Sequence, residues 1–274
     1  MYKATLFLAT LFFFLSCNKN NDNVTGSFQE SRVSLSTHEL AAYSIETAHS
    51  KYLVVFESGL GNDHTVWQMT HVAEEISATM DVVVYDRAGY GKSTIDTTPR
   101  AIDRLRMELE AVVNSYAHNR KVILVGHSLG GMIIRDYAVK NPDRMAALLL
   151  VDPSHENYLH PTQAEEDVLY NAVNASAGPD FGGTREAREL MEDAQYMATL
   201  PILPDIPVVV LTSMQLDGSH TTADKQNLYY AHELLKSGVT DFTHIATTHA
   251  GHFIMIDEPD LVIDNFNLLL SKLP

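Results

Sequence analysis

Lys121-Val-Ile-Leu-Val-Gly-His-Ser-Leu-Gly-Gly131 holds a serine between two glycines. Val122 to Val125 is a short β-branched run that reads as a buried strand. It leads straight into Gly126-His127-Ser128-Leu129-Gly130, a G-x-S-x-G sequence. A helical pattern follows through Met132, Ile133, Ile134, Tyr137 and Ala138, and Asn141-Pro142 stops it. A serine hydroxyl is a weak nucleophile that needs a neighbouring base and an exposed position. A sharp strand-to-helix turn exposes it but crowds its neighbours, and Gly126 and Gly130 remove the Cβ atoms that would clash. The same turn puts the Leu129 N–H at a helix start, where a developing oxyanion is stabilised.

The rest of the chain must position this serine. Arg32 to Ser36 and Glu39 to Thr47 alternate weakly and read as an edge hairpin. Tyr52–Phe56, Asp81–Tyr85, Met145–Val151, Ile206–Leu211 and Phe242–Ala246 read as further strands. Helical spacing marks Thr65–Met80, Ala101–His118, Ala223–Lys236 and Pro259–Leu273. Alternating strands and helices predict an α/β fold, a mostly parallel eight-stranded sheet with helices on both faces. Residues 153–205 break the alternation with helical patches at Thr162–Val173 and Thr184–Thr199. The expected organisation is a core of residues 32–152 and 206–274, with 153–205 as a helical cap.

The 274 residues are 45% hydrophobic and 20% charged, enough for one large domain. A net charge of -16 argues against nucleic acid and against purely electrostatic docking to anionic lipid. There is no H-E-x-x-H, no cysteine pair and no clustered acidic loop. Gly89-Tyr-Gly91 lacks the third glycine of a dinucleotide fingerprint. Neither metal nor cofactor is expected.

Lys3 and the apolar run Ala4–Ser16 read as a signal peptide over residues 1–16, too short for a stable membrane span. Leu15-Ser16-Cys17 resembles a bacterial lipoprotein signal, although Phe14 replaces the usual leucine three residues before the cysteine. The resemblance implies export to a bacterial cell envelope and a lipid anchor on Cys17, the single cysteine. Residues 17–31 then read as a polar, flexible tether.

Over roughly residues 32–272 the chain resembles the α/β-hydrolase family. The matching features are the serine turn, Gly59-Leu60-Gly61, Tyr85-Asp-Arg-Ala-Gly-Tyr-Gly-Lys-Ser93 and Ala250-Gly-His-Phe253. The resemblance implies a nucleophilic Ser128 and, since relatives that open epoxides or cleave chloroalkanes carry an aspartate there, acyl transfer. It places the general base at His252, where an imidazole titrating near neutrality can take and return a proton; His249 is the rival. The remaining histidines, of 13 in all, are expected mostly on the surface.

The triad acid stays open. Asp152 directly ends a strand, and Asp217 follows the strand that most relatives use, but on a longer loop. The Leu60 N–H is the expected second oxyanion donor, with Ser58 where relatives often have histidine. Asp86 and Arg87 are expected to brace their loop. Tyr158, Leu159, Leu169, Tyr170, Phe181, Leu190, Met191, Tyr196 and Met197 could line a pocket or merely pack the cap. The expected activity is hydrolysis of a small-molecule carboxylic ester. The alternatives are C–C bond or lactone hydrolysis, perhydrolysis, and a non-catalytic surface binding protein of the same fold.

Overall fold

The computed structural model describes residues 26–46, 50–218 and 220–274. The expected signal segment, Cys17 and most of the expected tether lie outside the described residues. No described helix is long and apolar enough to cross a membrane.

The chain opens with β1 (Gln29–Ser34) and β2 (Glu39–Ile45), paired antiparallel, and continues through β3 (Leu53–Glu57), α1 (Val72–Ser77) and β4 (Asp81–Tyr85). Then come α2 (Ile102–Tyr116), β5 (Val122–His127), α3 (Leu129–Lys140) and β6 (Met145–Val151). Three helices follow before the sheet resumes: α4 (Gln163–Ala177), α5 (Gly182–Glu186) and α6 (Leu190–Met197). The end of the chain is β7 (Val208–Ser213), α7 (Thr222–Glu233), β8 (Phe242–Thr247), α8 (Ile254–Asp257) and α9 (Pro259–Ser271).

The eight strands lie in the order β1-β2-β4-β3-β5-β6-β7-β8, parallel from β4 onwards. Strand alternation divides the core into two layers. Leu53, Val55, Val122 and Leu124 face α2 and α3 through Leu105, Leu109, Ile133 and Tyr137. Val54, Phe56, Ile123 and Val125 face α1, α8 and α9 through Val72, Ile76, Met255 and Phe266. Both faces of the central strands are buried, which explains their unbroken apolar runs.

Several boundaries differ from expectation. β1 starts at Gln29, inside the expected tether. It is an edge strand whose first four residues are all exposed, so no apolar alternation announces its start. The helix expected over Thr65–Met80 is a 3-10 turn at His64–Trp67 followed by α1. His71, at φ 60, is left-handed and interrupts the helical path. The patch at Thr184–Thr199 is two helices, α5 and α6. The short α8 has no counterpart among the expected helices.

Candidate functional site

β5 delivers Ser128 to the C-terminal edge of the sheet, where active-site groups of parallel sheets gather. Ser128 has φ 54 and ψ -122, a conformation that strains any non-glycine residue. Close backbone approach surrounds it. A Cβ on Gly126 would lie 2.7 Å from the Gly130 carbonyl oxygen, and one on Gly130 would lie 2.4 Å from that of Glu57. The Ser128 N–H donates to Val151 O at 3.3 Å, and the Ser154 N–H donates to Ser128 O at 2.9 Å. These two bonds tie the serine to the end of β6, from which Asp152 continues. The Ser128 side remains half-exposed.

Asp152 is buried at φ 42, a left-handed position that aspartate tolerates. One carboxylate oxygen, Oδ1, accepts the Ser213 N–H from β7 at 2.9 Å; the other, Oδ2, lies 2.7 Å from His252 Nδ1. Burial would raise this carboxyl. The hydrogen bond and charge of His252, the charge of His232 and the Ser213 N–H outweigh it and hold Asp152 below its ordinary range. An ionised carboxylate only accepts, so His252 Nδ1 carries a proton and Nε2 is the basic nitrogen of the neutral ring.

His252 comes from the loop after β8, and its backbone is anchored. His127 Nε2 donates to His252 O at 2.9 Å, and the two rings lie 4.5 Å apart. Burial, then the neighbouring His252, pushes the His127 imidazole down to about 3, so it serves as a neutral strut. His232 Nε2 donates to Pro153 O at 2.7 Å, bracing the residue after Asp152. Burial pushes the His232 ring down to about 4 and the His155 ring to about 3. His38, His127, His155, His220 and His232 are all buried, against the expectation that the remaining histidines sit mostly on the surface.

The two open alternatives separate by geometry. Asp217 is exposed and its carboxylate meets His220 Nδ1 at 3.1 Å, so the hydrogen bond to His252 Nδ1 belongs to Asp152. The His249 side chain is 83% exposed, with Glu258 at 3.7 Å. Leu129 begins α3, where an amide has no intrahelical partner. Leu60 packs between the main core and a small cluster of Leu169, Val173 and Ala187.

Asp86 and Arg87 brace their surroundings separately. Asp86 accepts from His64 N and Lys92 N, and Arg87 reaches Glu57, Glu186 and the carbonyls of Ser58 and Gly59. Many of the large side chains between β6 and β7 have structural duties. The Tyr196 hydroxyl donates to Asp136, Tyr170 stacks on Arg188, Phe181 packs edge-on against Tyr90, and Met197 joins the main core. Tyr158 lies in the field of three carboxylates. Its hydroxyl is pushed up to about 12 by burial and by the charges of Asp224, Asp152 and Asp217.

Ser154 was not anticipated. Its hydroxyl lies 3.5 Å from Ser128 Oγ, and Asp152-Pro-Ser is the local signal that sets it there.

Two groups among the described residues bring three candidate metal ligands together: His38, Asp96 and Glu108, and Asp63, His64 and Asp86. Protein donors already occupy their carboxylates. Arg100 and Arg104 hold the first group, and backbone amides with the Tyr43 hydroxyl hold the second.

Comparison with known proteins bears on the fold. YqjL of Bacillus subtilis, an uncharacterized protein, is 24% identical over 82% of this chain and 88% of its own length. The (lyso)-N-acylphosphatidylethanolamine lipase of Mus musculus is 31% identical over 103 residues, which cover 36% of this chain but only 30% of the lipase. Among solved structures, a thermophilic esterase from Thermogutta terrifontis superposes with TM-score 0.71 at 20% identity, covering 89% of this chain and 98% of the esterase. Epoxide Hydrolase A from Mycobacterium thermoresistibile gives TM-score 0.70 at 16% identity, covering 90% and 99%. Residues 54–265 match the alpha/beta hydrolase family as a whole, and the chain belongs to it.

Proposed function

We propose that the protein is a serine hydrolase that cleaves carboxylic esters through an acyl-enzyme on Ser128. The observation that carries this reading is the 2.7 Å contact between His252 Nδ1 and buried Asp152, beside a strained, half-exposed serine at the same edge of the sheet. With Nδ1 protonated toward Asp152, Nε2 is the nitrogen able to take the Ser128 proton. Ser128 Oγ then attacks the ester carbonyl, and the N–H groups of Leu60 and Leu129 hold the oxyanion. The tetrahedral intermediate collapses, and the alcohol leaves with the proton from His252. Water attacks the acyl-enzyme with His252 again as base, and the carboxylic acid departs as Ser128 recovers its proton. A serine at the elbow favours acyl transfer over epoxide opening, which needs a carboxylate nucleophile to form its ester intermediate.

We further propose that the chain is exported and held at a bacterial membrane by acyl chains on Cys17, as its sequence context suggests. Cys17→Ser should then move the protein to the soluble fraction, and unchanged partitioning overturns the anchor.

The catalytic reading is tested by a fluorophosphonate probe and a panel of p-nitrophenyl esters, thioesters and lactones. The wild-type chain should take the probe and turn over esters, and Ser128→Ala should do neither. Failure of the wild type to label, or equal labelling of Ser128→Ala, rejects the reading.

A further inference from the structure

We propose that Arg87 and Glu186 are positioning residues for the oxyanion hole, through which the cap sets the Leu60 amide. This inference rests on the ester-hydrolase reading above and deepens it.

The guanidinium of Arg87 is 2% exposed, and each of its five N–H groups has an acceptor within 3.0 Å. Nε and Nη2 grip the two oxygens of Glu186, both at 2.8 Å. Nη1 donates to Glu57 Oε1 at 2.8 Å and to Ser58 O at 2.6 Å. The second Nη2 donor goes to Gly59 O at 3.0 Å. A buried guanidinium saturated in this way has one orientation.

The bond to Gly59 O matters for chemistry. Gly59 C=O and Leu60 N–H belong to one planar trans peptide, so they point in opposite directions. Fixing the carbonyl on Arg87 therefore aims the Leu60 N–H away from the guanidinium. The positive charge on the carbonyl side also polarises the peptide and strengthens that N–H as a donor. The peptide sits against the nucleophile: a Cβ on Gly59 would lie 3.0 Å from Ser128 Cβ and 2.8 Å from His127 Nδ1.

The far side of Leu60 is held by the same assembly. The Gly61 N–H donates to the Tyr90 hydroxyl at 3.0 Å, and that hydroxyl donates to Glu186 Oε2 at 2.5 Å. Leu60 is thus clamped at both flanking peptides by Arg87 and Tyr90, and both rest on Glu186. Glu186 is fully buried on α5, inside the segment between β6 and β7. The cap therefore reaches the oxyanion donor through one carboxylate. Glu186→Gln would neutralise the counter-charge and put an amide where Arg87 and Tyr90 need acceptors.

The test measures kcat and KM on p-nitrophenyl butyrate, inhibition by phenylboronic acid, and the melting curve. The boronate forms a tetrahedral adduct on the serine that places an oxygen in the hole. Glu186→Gln and Arg87→Lys should lower kcat by about tenfold or more, with KM held within about twofold. Boronate binding should weaken in parallel with kcat. Tyr90→Phe should shift both in the same direction by less, and it decides the matter if neither other variant folds. Unchanged kcat in a folded variant, a loss confined to KM, or a fall in kcat with boronate binding intact overturns the inference and leaves the hydrolase reading standing. A wild-type chain that neither turns over ester nor takes the fluorophosphonate probe overturns both.

Discussion

Asp152 Oδ2 and His252 Nδ1 stand 2.7 Å apart, although 100 residues separate them in the chain. Asp152 is buried and also receives the Ser213 N–H, so it cannot turn away from the ring without stranding an amide. Asparagine at 152 would offer an NH2 or a neutral oxygen to Nδ1 and unsettle the tautomer that leaves Nε2 basic. Turnover of an ester should then fall by on the order of 10⁴ while the fold survives. Asp217→Asn should leave turnover within about threefold, because its carboxylate is directed to His220. Parallel steady-state kinetics on the two variants settle the choice, and full activity in Asp152→Asn removes the triad.

That choice shows what was legible in the sequence. The serine turn is a local object: the β-branched run, Gly126, Gly130 and the helical spacing after Ser128 all lie within a score of residues. The central strands were equally readable as strands, because Leu53 to Phe56 is an unbroken apolar run, although such a run does not say which face each residue takes. The carboxylate partner of His252 was not, since Asp152 and Asp217 both follow strands and both precede it. Only the approach of β6 to the loop after β8 separates them. The clamp on the Gly59–Leu60 peptide was hidden for a related reason. Arg87 and Glu186 lie 99 residues apart, and an ion pair leaves no periodic trace in either segment. The start of β1 at Gln29 escaped because its first four residues are exposed and only Val33 turns to the core.

Gly130 marks where α3 presses on the end of β3. A Cβ there would meet the Glu57 carbonyl oxygen at 2.4 Å, and both sides of that contact are backbone, so neither yields cheaply. Gly130→Ala should cost about 3 kcal/mol. For a chain of this size that corresponds to a fall of roughly 5–6 °C in Tm. Thermal unfolding followed by circular dichroism measures it, and an unchanged Tm would mean that the elbow relaxes freely.

Ser154 offers a control beside Ser128. Its hydroxyl is 3.5 Å from Ser128 Oγ, beyond the usual O–H···O range, and its backbone N–H makes the firmer bond to Ser128 O at 2.9 Å. Ser154→Ala keeps that backbone bond. Its kcat should stay within about threefold of wild type. A loss nearer a hundredfold would assign the hydroxyl a part in handling substrate or proton.

Asp193 gives a pH signature for the contact between α6 and the start of α2. α2 starts after Ala101, which has no capping side chain, and the Ile102 N–H instead donates to Asp193 Oδ1 of α6 at 2.8 Å. Asp193 is 2% exposed. Burial pushes its carboxyl up to about 8, the charges of Glu189 and Glu186 add to this, and the Ile102 bond pulls the other way. The unfolded carboxyl titrates near 3.9. Between these values the native chain keeps a proton that the unfolded chain releases, so this group's contribution to stability falls as pH rises from about 4 to 8. Asp193→Asn keeps an acceptor for Ile102 and has no proton to lose. The Tm of the variant minus that of wild type should therefore grow from pH 5 to pH 8 and level off above. A difference that stays constant over this range would show that Asp193 ionises in the folded protein as readily as in the unfolded chain.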